Sequence, residues 1–89
     1  MNTESIECRK VEEIEKIGDF TFDDTFKCIY VWLPGTPGPT AIPITLGPDR
    51  GEFRIWGWDG NQDKPTLTPS IHWVDFWHGF MRNGKLISC

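Results

Sequence analysis

The segment that decides the fold class is Gly79-Phe80-Met81-Arg82-Asn83-Gly84-Lys85-Leu86-Ile87. Its dipeptide Asn83-Gly84 is the strongest short hairpin signal in the chain, because both residues tolerate the positive φ angles that a two-residue turn requires. The segment is therefore predicted to form two antiparallel strands that meet at this turn.

Further short strands are predicted upstream of this hairpin, each rich in β-branched and aromatic residues and bounded by turn-forming residues. The segment 34–39, Pro-Gly-Thr-Pro-Gly-Pro, is a loop, because its three prolines lack a backbone N–H. About seven strands predict a mainly β fold, built as a compact antiparallel sheet, a sandwich or a small barrel. The predicted strands span residues 20–22, 26–33, 41–46, 52–58 and 66–74, and the two arms of the hairpin at 79–87.

The N-terminal segment from Ser5 to Ile17 has two interpretations. Its apolar residues recur with approximate helical spacing, and Glu12 stands four residues before Lys16, which favours one short helix that Gly18 would end. The alternating residues 6–9 favour a short strand followed by a single helical turn instead. An α+β fold with one N-terminal helix therefore stays open beside the mainly β fold.

Length and charge set the broad class of the protein. The 89 residues suffice for a single domain, 1–89, and no apolar run approaches the roughly 20 residues that span a bilayer. Residues 1–24 form an acidic segment with eight acids and three bases, and the rest of the chain has no basic stripe. Long nucleic acid and membrane are therefore excluded as partners. The N-terminus shows no secretory signal, so a cytoplasmic location is expected.

The cysteine and histidine pattern offers a metal site only as an alternative. Three cysteines at wide spacing match neither a disulfide framework nor a standard zinc motif, so no cofactor is expected. Imidazole and thiolate do suit zinc. The candidate metal ligands are Cys28, His72, His78 and Cys89.

Trp56 and Trp58 are two residues apart on a predicted strand, so their indoles leave the same face of the sheet. They form either an exposed stacking platform or part of the core. Gly57 between them allows another segment to approach closely from the opposite face. The residues that follow, 59–61, have the chemistry of a tight turn.

Residues 64–70 present regularly spaced hydroxyl groups on a segment that two prolines stiffen. These hydroxyls either recognise a small polar ligand or bond to backbone groups in turns. Together with the tryptophans they define the predicted ligand-binding set. That set is Trp56, Trp58, Asp59, Asn61, Lys64, Thr66, Thr68, Ser70 and His78.

A catalytic site is not favoured by the sequence. Ser70, His72 and Asp75 are close in the chain, but strand alternation places Ser70 and His72 on one face and Asp75 on the other. No nucleophile-elbow pattern is present. A binding role is therefore favoured over catalysis, and whether the protein is an enzyme stays open.

Residues 55–87 carry three motifs in a specific order. These are Trp-Gly-Trp-Asp-Gly-Asn at 56–61, Pro-Thr-Leu-Thr-Pro-Ser-Ile at 65–71 and His-Gly-Phe-Met-Arg-Asn-Gly at 78–84. The region, about a third of the chain, resembles a family of small phage and bacterial proteins of unassigned biochemistry, sometimes labelled ammonia monooxygenase. Many members have a cysteine where this chain has Trp77, and further cysteines upstream where only Cys28 remains. The resemblance thus implies fold and phage origin rather than metal chemistry.

The favoured function is a non-catalytic phage-type binding protein that antagonises a bacterial defence system in the host cytoplasm. It would sequester a small nucleotide, stacked on the tryptophans, or mask a host defence protein. One alternative is a metal-binding protein or metal-dependent enzyme with a reduced Cys/His site. Another is a virion or assembly component, and a homodimer is a reasonable state for so small a sheet.

Overall fold

The computed structural model describes residues 5–89, and that part of the chain consists of strands, turns and loops without a helix. Residues 1–4, the start of the acidic segment 1–24, lie outside the described residues. The mainly β prediction is confirmed. The strands are β1 (Ser5–Glu7), β2 (Arg9–Lys10), β3 (Asp19–Phe22), β4 (Cys28–Val31), β5 (Thr40–Leu46), β6 (Trp56–Trp58), β7 (Leu67–Thr68), β8 (Ile71–Trp73), β9 (Trp77–Arg82) and β10 (Lys85–Ser88).

The first sheet contains four strands in the order β1-β10-β9-β8, all antiparallel. The hairpin β9–β10 turns at Asn83 and Gly84, whose φ angles are 50° and 74°. Arg82 pairs with Lys85 on either side of the turn, and the predicted hairpin is present. β8 is the outer strand of this sheet, with β9 as its one neighbour.

The second sheet contains six strands in the order β2-β3-β4-β5-β6-β7. The predicted strands at 20–22 and 26–33 contribute the antiparallel pair β3–β4. The sheet is mixed rather than purely antiparallel, because β2 runs parallel to β3 and β5 runs parallel to β6. Consecutive strands of this sheet therefore do not all form hairpins.

The helix considered for residues 5–17 is wrong. β1 and β2 occupy the start of this segment, and residues 11–18 form bends and a turn. The backbone N–H groups of Glu15 and Lys16 donate to the carboxylate of Asp19, at 3.0 and 3.3 Å, which a continuing helix would not permit. Tertiary pairing has overridden a weak helical spacing.

Three predicted strands are shorter in the structure, and one of them, 26–33, is reduced to β4 at Cys28–Val31. Residues 52–55 form a turn in which Arg54 has a φ of 59°, so only 56–58 of the predicted 52–58 is extended. The predicted strand 66–74 is divided into β7 and β8 at Pro69, which has no N–H to donate to a ladder. This interruption separates Ser70 from β7 and places it directly before β8.

The core draws apolar side chains from both sheets. Trp56 and Trp58 are 8% and 6% exposed and belong to it. A Cβ on Gly57 would overlap the backbone of residues 47–49, so the predicted close approach at this glycine is confirmed. The turn after β5 thus packs directly on the back of β6.

Asp19 is a fully buried carboxylate with four donors. Arg9 donates to it from Nε and Nη2, both at 3.2 Å, and the other two donors are the backbone N–H groups of Glu15 and Lys16. The Arg9 guanidinium holds the pKa of Asp19 below its ordinary value, assisted by the two N–H groups and opposed by burial. The group ties the N-terminal segment to β3.

The Asp19→Asn variant is expected to melt at least about 5 °C lower than the native protein at pH 7, because two charge-assisted hydrogen bonds are weakened. A folded-state pKa below the unfolded value contributes stability that is full above the unfolded pKa of about 4 and disappears as the pH falls through the folded pKa. The melting difference should therefore shrink below about pH 4. Asp63→Asn, at an exposed carboxylate, is the control. A difference that does not change with pH would contradict the assignment.

Candidate functional site

Ser70 and His78 lie together on the outer face of the four-stranded sheet. Ser70 Oγ is 3.4 Å from His78 Nε2. This distance exceeds that of an ideal hydrogen bond, as is common for catalytic pairs without a substrate. Ser70 is half-buried and His78 is exposed, so the pair is open to a ligand.

The β8–β9 hairpin accounts for this proximity. His72 pairs directly with His78 across the two strands, and the two imidazole centroids are 4.7 Å apart. Ser70 precedes His72 by two residues and shares its face of the strand, which makes Ser70 the diagonal neighbour of His78. Both histidines of the chain therefore lie beside the same serine.

The backbone around Ser70 is held by the core. Trp56 Nε1–H donates to the carbonyl oxygen of Ser70 at 3.2 Å, and the next residue, Ile71, is fully buried. On the partner strand, His78 lies between the buried residues Trp77 and Gly79. A catalytic pair needs supports of this kind, because both side chains start from fixed backbone positions.

Neither imidazole has a carboxylate partner in the part of the chain that the structure describes. Asp75 belongs to the turn between β8 and β9, where it has a φ of 70° and an exposed side chain. Asp75 therefore does not join Ser70 and His72 in one group. The structure instead brings Ser70 next to His78, and the ring of His72 lies against that of His78. The geometry is that of a dyad.

A groove of about 470 Å³ opens next to this dyad. Ser70 and His72 lie in its wall, together with aromatic side chains from residues 53–56 and from the β8–β9 turn. A nucleophile at the edge of an apolar groove can reach a ligand that the groove binds.

Two of the other predicted ligand-binding residues, Asp59 and Asn61, hold the turn between β6 and β7 with their side chains. Asp59 accepts the N–H groups of Asn61 and Thr66, and Asn61 Oδ1 accepts those of Asp63 and Lys64. These bonds satisfy the backbone of the segment 59–66 from within. The predicted residues therefore serve the local structure, and their role toward a ligand stays a prediction.

The predicted row of hydroxyl groups is divided among different surroundings. Thr66 Oγ1 accepts the N–H of Asn83 at 2.8 Å, Thr68 is exposed beside Trp58, and Ser70 faces His78. Lys64 is exposed, with its aliphatic part against Gly84. Of the predicted set, only Ser70 and His78 come together as reactive groups.

Trp56 and Trp58 form part of the core and leave no exposed platform. Both indole N–H groups donate to backbone carbonyl groups, that of Trp56 to Ser70 and that of Trp58 to Asn61 at 3.0 Å. Phe22 and Phe26 pack on the ring of Trp58, with centroid distances of 4.9 and 5.8 Å. Of the two positions considered from the sequence, an exposed platform and the core, the structure shows the core.

The four candidate metal ligands do not converge. Cys28 lies on β4 of the six-stranded sheet, whereas the histidines lie on β8 and β9. Burial raises the pKa of the Cys28 thiol, with help from the charge of Asp23, and raises that of Cys8 to about 12. Within residues 5–89, no three His, Cys, Asp or Glu side chains are grouped to hold a metal ion. The zinc alternative stays a prediction.

A family model matches residues 10–89, nearly the whole chain. It describes the bacterial ubiquitination-like system serine protease, BubE. This chain belongs to the BubE family. Searches of curated proteins and of solved structures each gave no match.

Membership of the BubE family corrects the function expected from the sequence. The family is described as a bacterial serine protease, so the expectation of a non-catalytic phage protein that antagonises bacterial defence is wrong. The resemblance to the ammonia-monooxygenase-labelled family, carried by the motifs between Trp56 and Gly84, stays a prediction.

No helix within residues 5–89 is long and apolar enough to cross a membrane.

Proposed function

We propose that this chain is a serine peptidase in which Ser70 is the nucleophile and His78 is the general base. The observation that carries the proposal is the 3.4 Å separation of Ser70 Oγ and His78 Nε2 at the edge of an open groove. The family description supplies the reaction class.

The other serines support this assignment by their surroundings. The chain has three serines, and the other two are Ser5 and Ser88. Ser88 Oγ accepts a hydrogen bond from Trp77 Nε1 at 2.9 Å, and Ser5 is exposed on β1. Neither hydroxyl is hydrogen-bonded to a histidine in the described structure. Ser70 is thus the serine whose proton an imidazole can accept.

Peptide hydrolysis follows from the geometry in two steps. Ser70 Oγ attacks the carbonyl carbon of the scissile bond while His78 Nε2 takes the hydroxyl proton. His78 then gives this proton to the leaving amine, and an acyl ester remains on Ser70. A water molecule, deprotonated by His78, hydrolyses the ester and restores both residues.

His72 acts as a positioning residue in this proposal. Its ring lies 4.7 Å from that of His78, with 30° between the planes, and therefore restricts rotation of His78 away from Ser70. A triad has a carboxylate that orients the base. Here the packing of a second imidazole supplies part of that orientation.

The substrate proposed for the reaction is a peptide or isopeptide bond formed by a ubiquitin-like protein. The support is the family description, which refers to a ubiquitination-like system. Such a bond joins a carboxyl end of one chain to an amine, and its hydrolysis needs the acyl transfer that Ser70 and His78 can perform.

A fluorophosphonate probe tests the proposal directly, because it phosphonylates a serine only where a base activates the hydroxyl. Purified protein should gain the mass of one probe, and peptide mapping should place it on Ser70. Ser5 and Ser88 should stay unmodified. Absence of modification in protein shown to be folded by circular dichroism would refute the Ser70–His78 assignment.

A further inference from the structure

The groove beside Ser70 has an apolar wall that is unusually exposed. Phe53, Val74 and Phe76 are 85%, 67% and 50% exposed, and all three line the groove. A contiguous exposed apolar patch on a small domain marks an interaction site. Within the described structure, at least half of the surface of each of these three side chains is open to solvent.

The charge of the groove is asymmetric. Among the groove-lining residues of the described chain, Arg54 carries the positive charge of a guanidinium, and none of these residues is an aspartate or a glutamate. The guanidinium lies over the ring of Phe53, 5.1 Å from its centroid. The aromatic wall and the cation are thus next to each other and can contact one ligand together.

The shape of the groove suits an extended chain. A second groove, lined by residues 36–40, shares Trp73 and Phe76 with the first, so the two meet at these side chains. β8, which follows Ser70 directly, has a free outer edge in its sheet. Extended peptides bind by adding to such edges, while their side chains enter flanking pockets.

We infer that this groove selects substrates whose extended segment next to the scissile bond carries a bulky apolar side chain and a nearby carboxylate. The apolar side chain contacts Phe53, Val74 and Phe76, and the carboxylate pairs with Arg54. The inference rests on the proposed peptidase function and adds its specificity. The carboxylate belongs either to an Asp or Glu side chain or to a free chain end.

The test uses short internally quenched peptides in which each position near the scissile bond is varied in turn. The native protein should cleave peptides with a leucine or phenylalanine at one such position at least about tenfold faster than peptides with serine there. Phe53→Ala should remove most of that preference. Leu46→Ala, which truncates an exposed apolar residue of a different groove, should retain it.

The carboxylate contact has its own comparison. Native protein should favour peptides with Asp or Glu, or with a free C-terminal carboxylate, over their amide counterparts, and Arg54→Gln should abolish that preference. A preference for peptides with Asp or Glu would assign the contact to a side-chain carboxylate. A preference for peptides with a free C-terminus would assign it to the chain end. No apolar preference in the native protein, or an unchanged preference in Phe53→Ala, would overturn the inference. The fluorophosphonate reaction at Ser70 should proceed at the native rate in Leu46→Ala, and its failure in native protein would instead refute the peptidase itself.

Discussion

Ser70→Ala is expected to lower the kcat/KM of peptide hydrolysis by about 10³-fold or more. Alanine removes the oxygen that attacks the carbonyl carbon, and the described structure has no other serine hydroxyl beside an imidazole. The measurement is the initial rate on a fluorogenic peptide or on a ubiquitin-like protein with a C-terminal extension. Fluorophosphonate incorporation should be lost in the same variant.

The controls for Ser70→Ala separate chemistry from folding. The variant should keep its melting temperature, because the Trp56 indole bonds to the backbone carbonyl of residue 70 and not to its hydroxyl. Ser5→Ala makes the same chemical change at an exposed serine and should retain full activity. Equal activity of the Ser70→Ala and native proteins would show that another group performs the attack.

The fold was predictable where local chemistry and tertiary structure agree. Asn83-Gly84 specifies a turn through its backbone preferences, and the hairpin predicted from it is present, with Arg82 paired to Lys85. The parallel pairs β2–β3 and β5–β6 were not predictable in this way. Their partners are chosen by burial across the domain and not by any adjacent turn.

The proximity of Ser70 to His78 was not predicted, although both residues belong to the predicted ligand-binding set, because they are eight positions apart in the sequence. From the sequence, Ser70 is weighed with His72 and Asp75 as a catalytic group, while His78 is predicted only as a ligand-binding residue and a candidate metal ligand. The β8–β9 turn consists of Val74, Asp75 and Phe76, so its one turn-forming residue, Asp75, stands between two apolar residues and gives a weak signal. Its recognition would have placed His72 opposite His78 and Ser70 on the diagonal.

Four of the five tryptophans bond to other parts of the chain through their indole N–H groups. Indole N–H groups of Trp32, Trp56, Trp58 and Trp77 donate to Thr36, Ser70, Asn61 and Ser88. A buried indole must satisfy its N–H, and here three of the four acceptors lie in loops, while the fourth, Ser88 Oγ, lies on β10. Composition showed that the tryptophans were in excess of the usual number, but only the fold shows that one of them anchors the backbone of Ser70.

His78→Ala is expected to lower kcat by about 10²- to 10⁴-fold, because Ser70 then has no base to accept its proton. His72→Ala should have a smaller effect of about tenfold, since His72 contacts the ring of His78 and has no hydrogen bond to Ser70. The two substitutions are matched in residue type and exposure, and the side chains face each other across β8 and β9. Added imidazole should restore part of the activity of His78→Ala, because the vacated position is open to solvent and free imidazole can accept the same proton. If His72→Ala had the larger loss of kcat and added imidazole restored its activity instead, the general base would be His72.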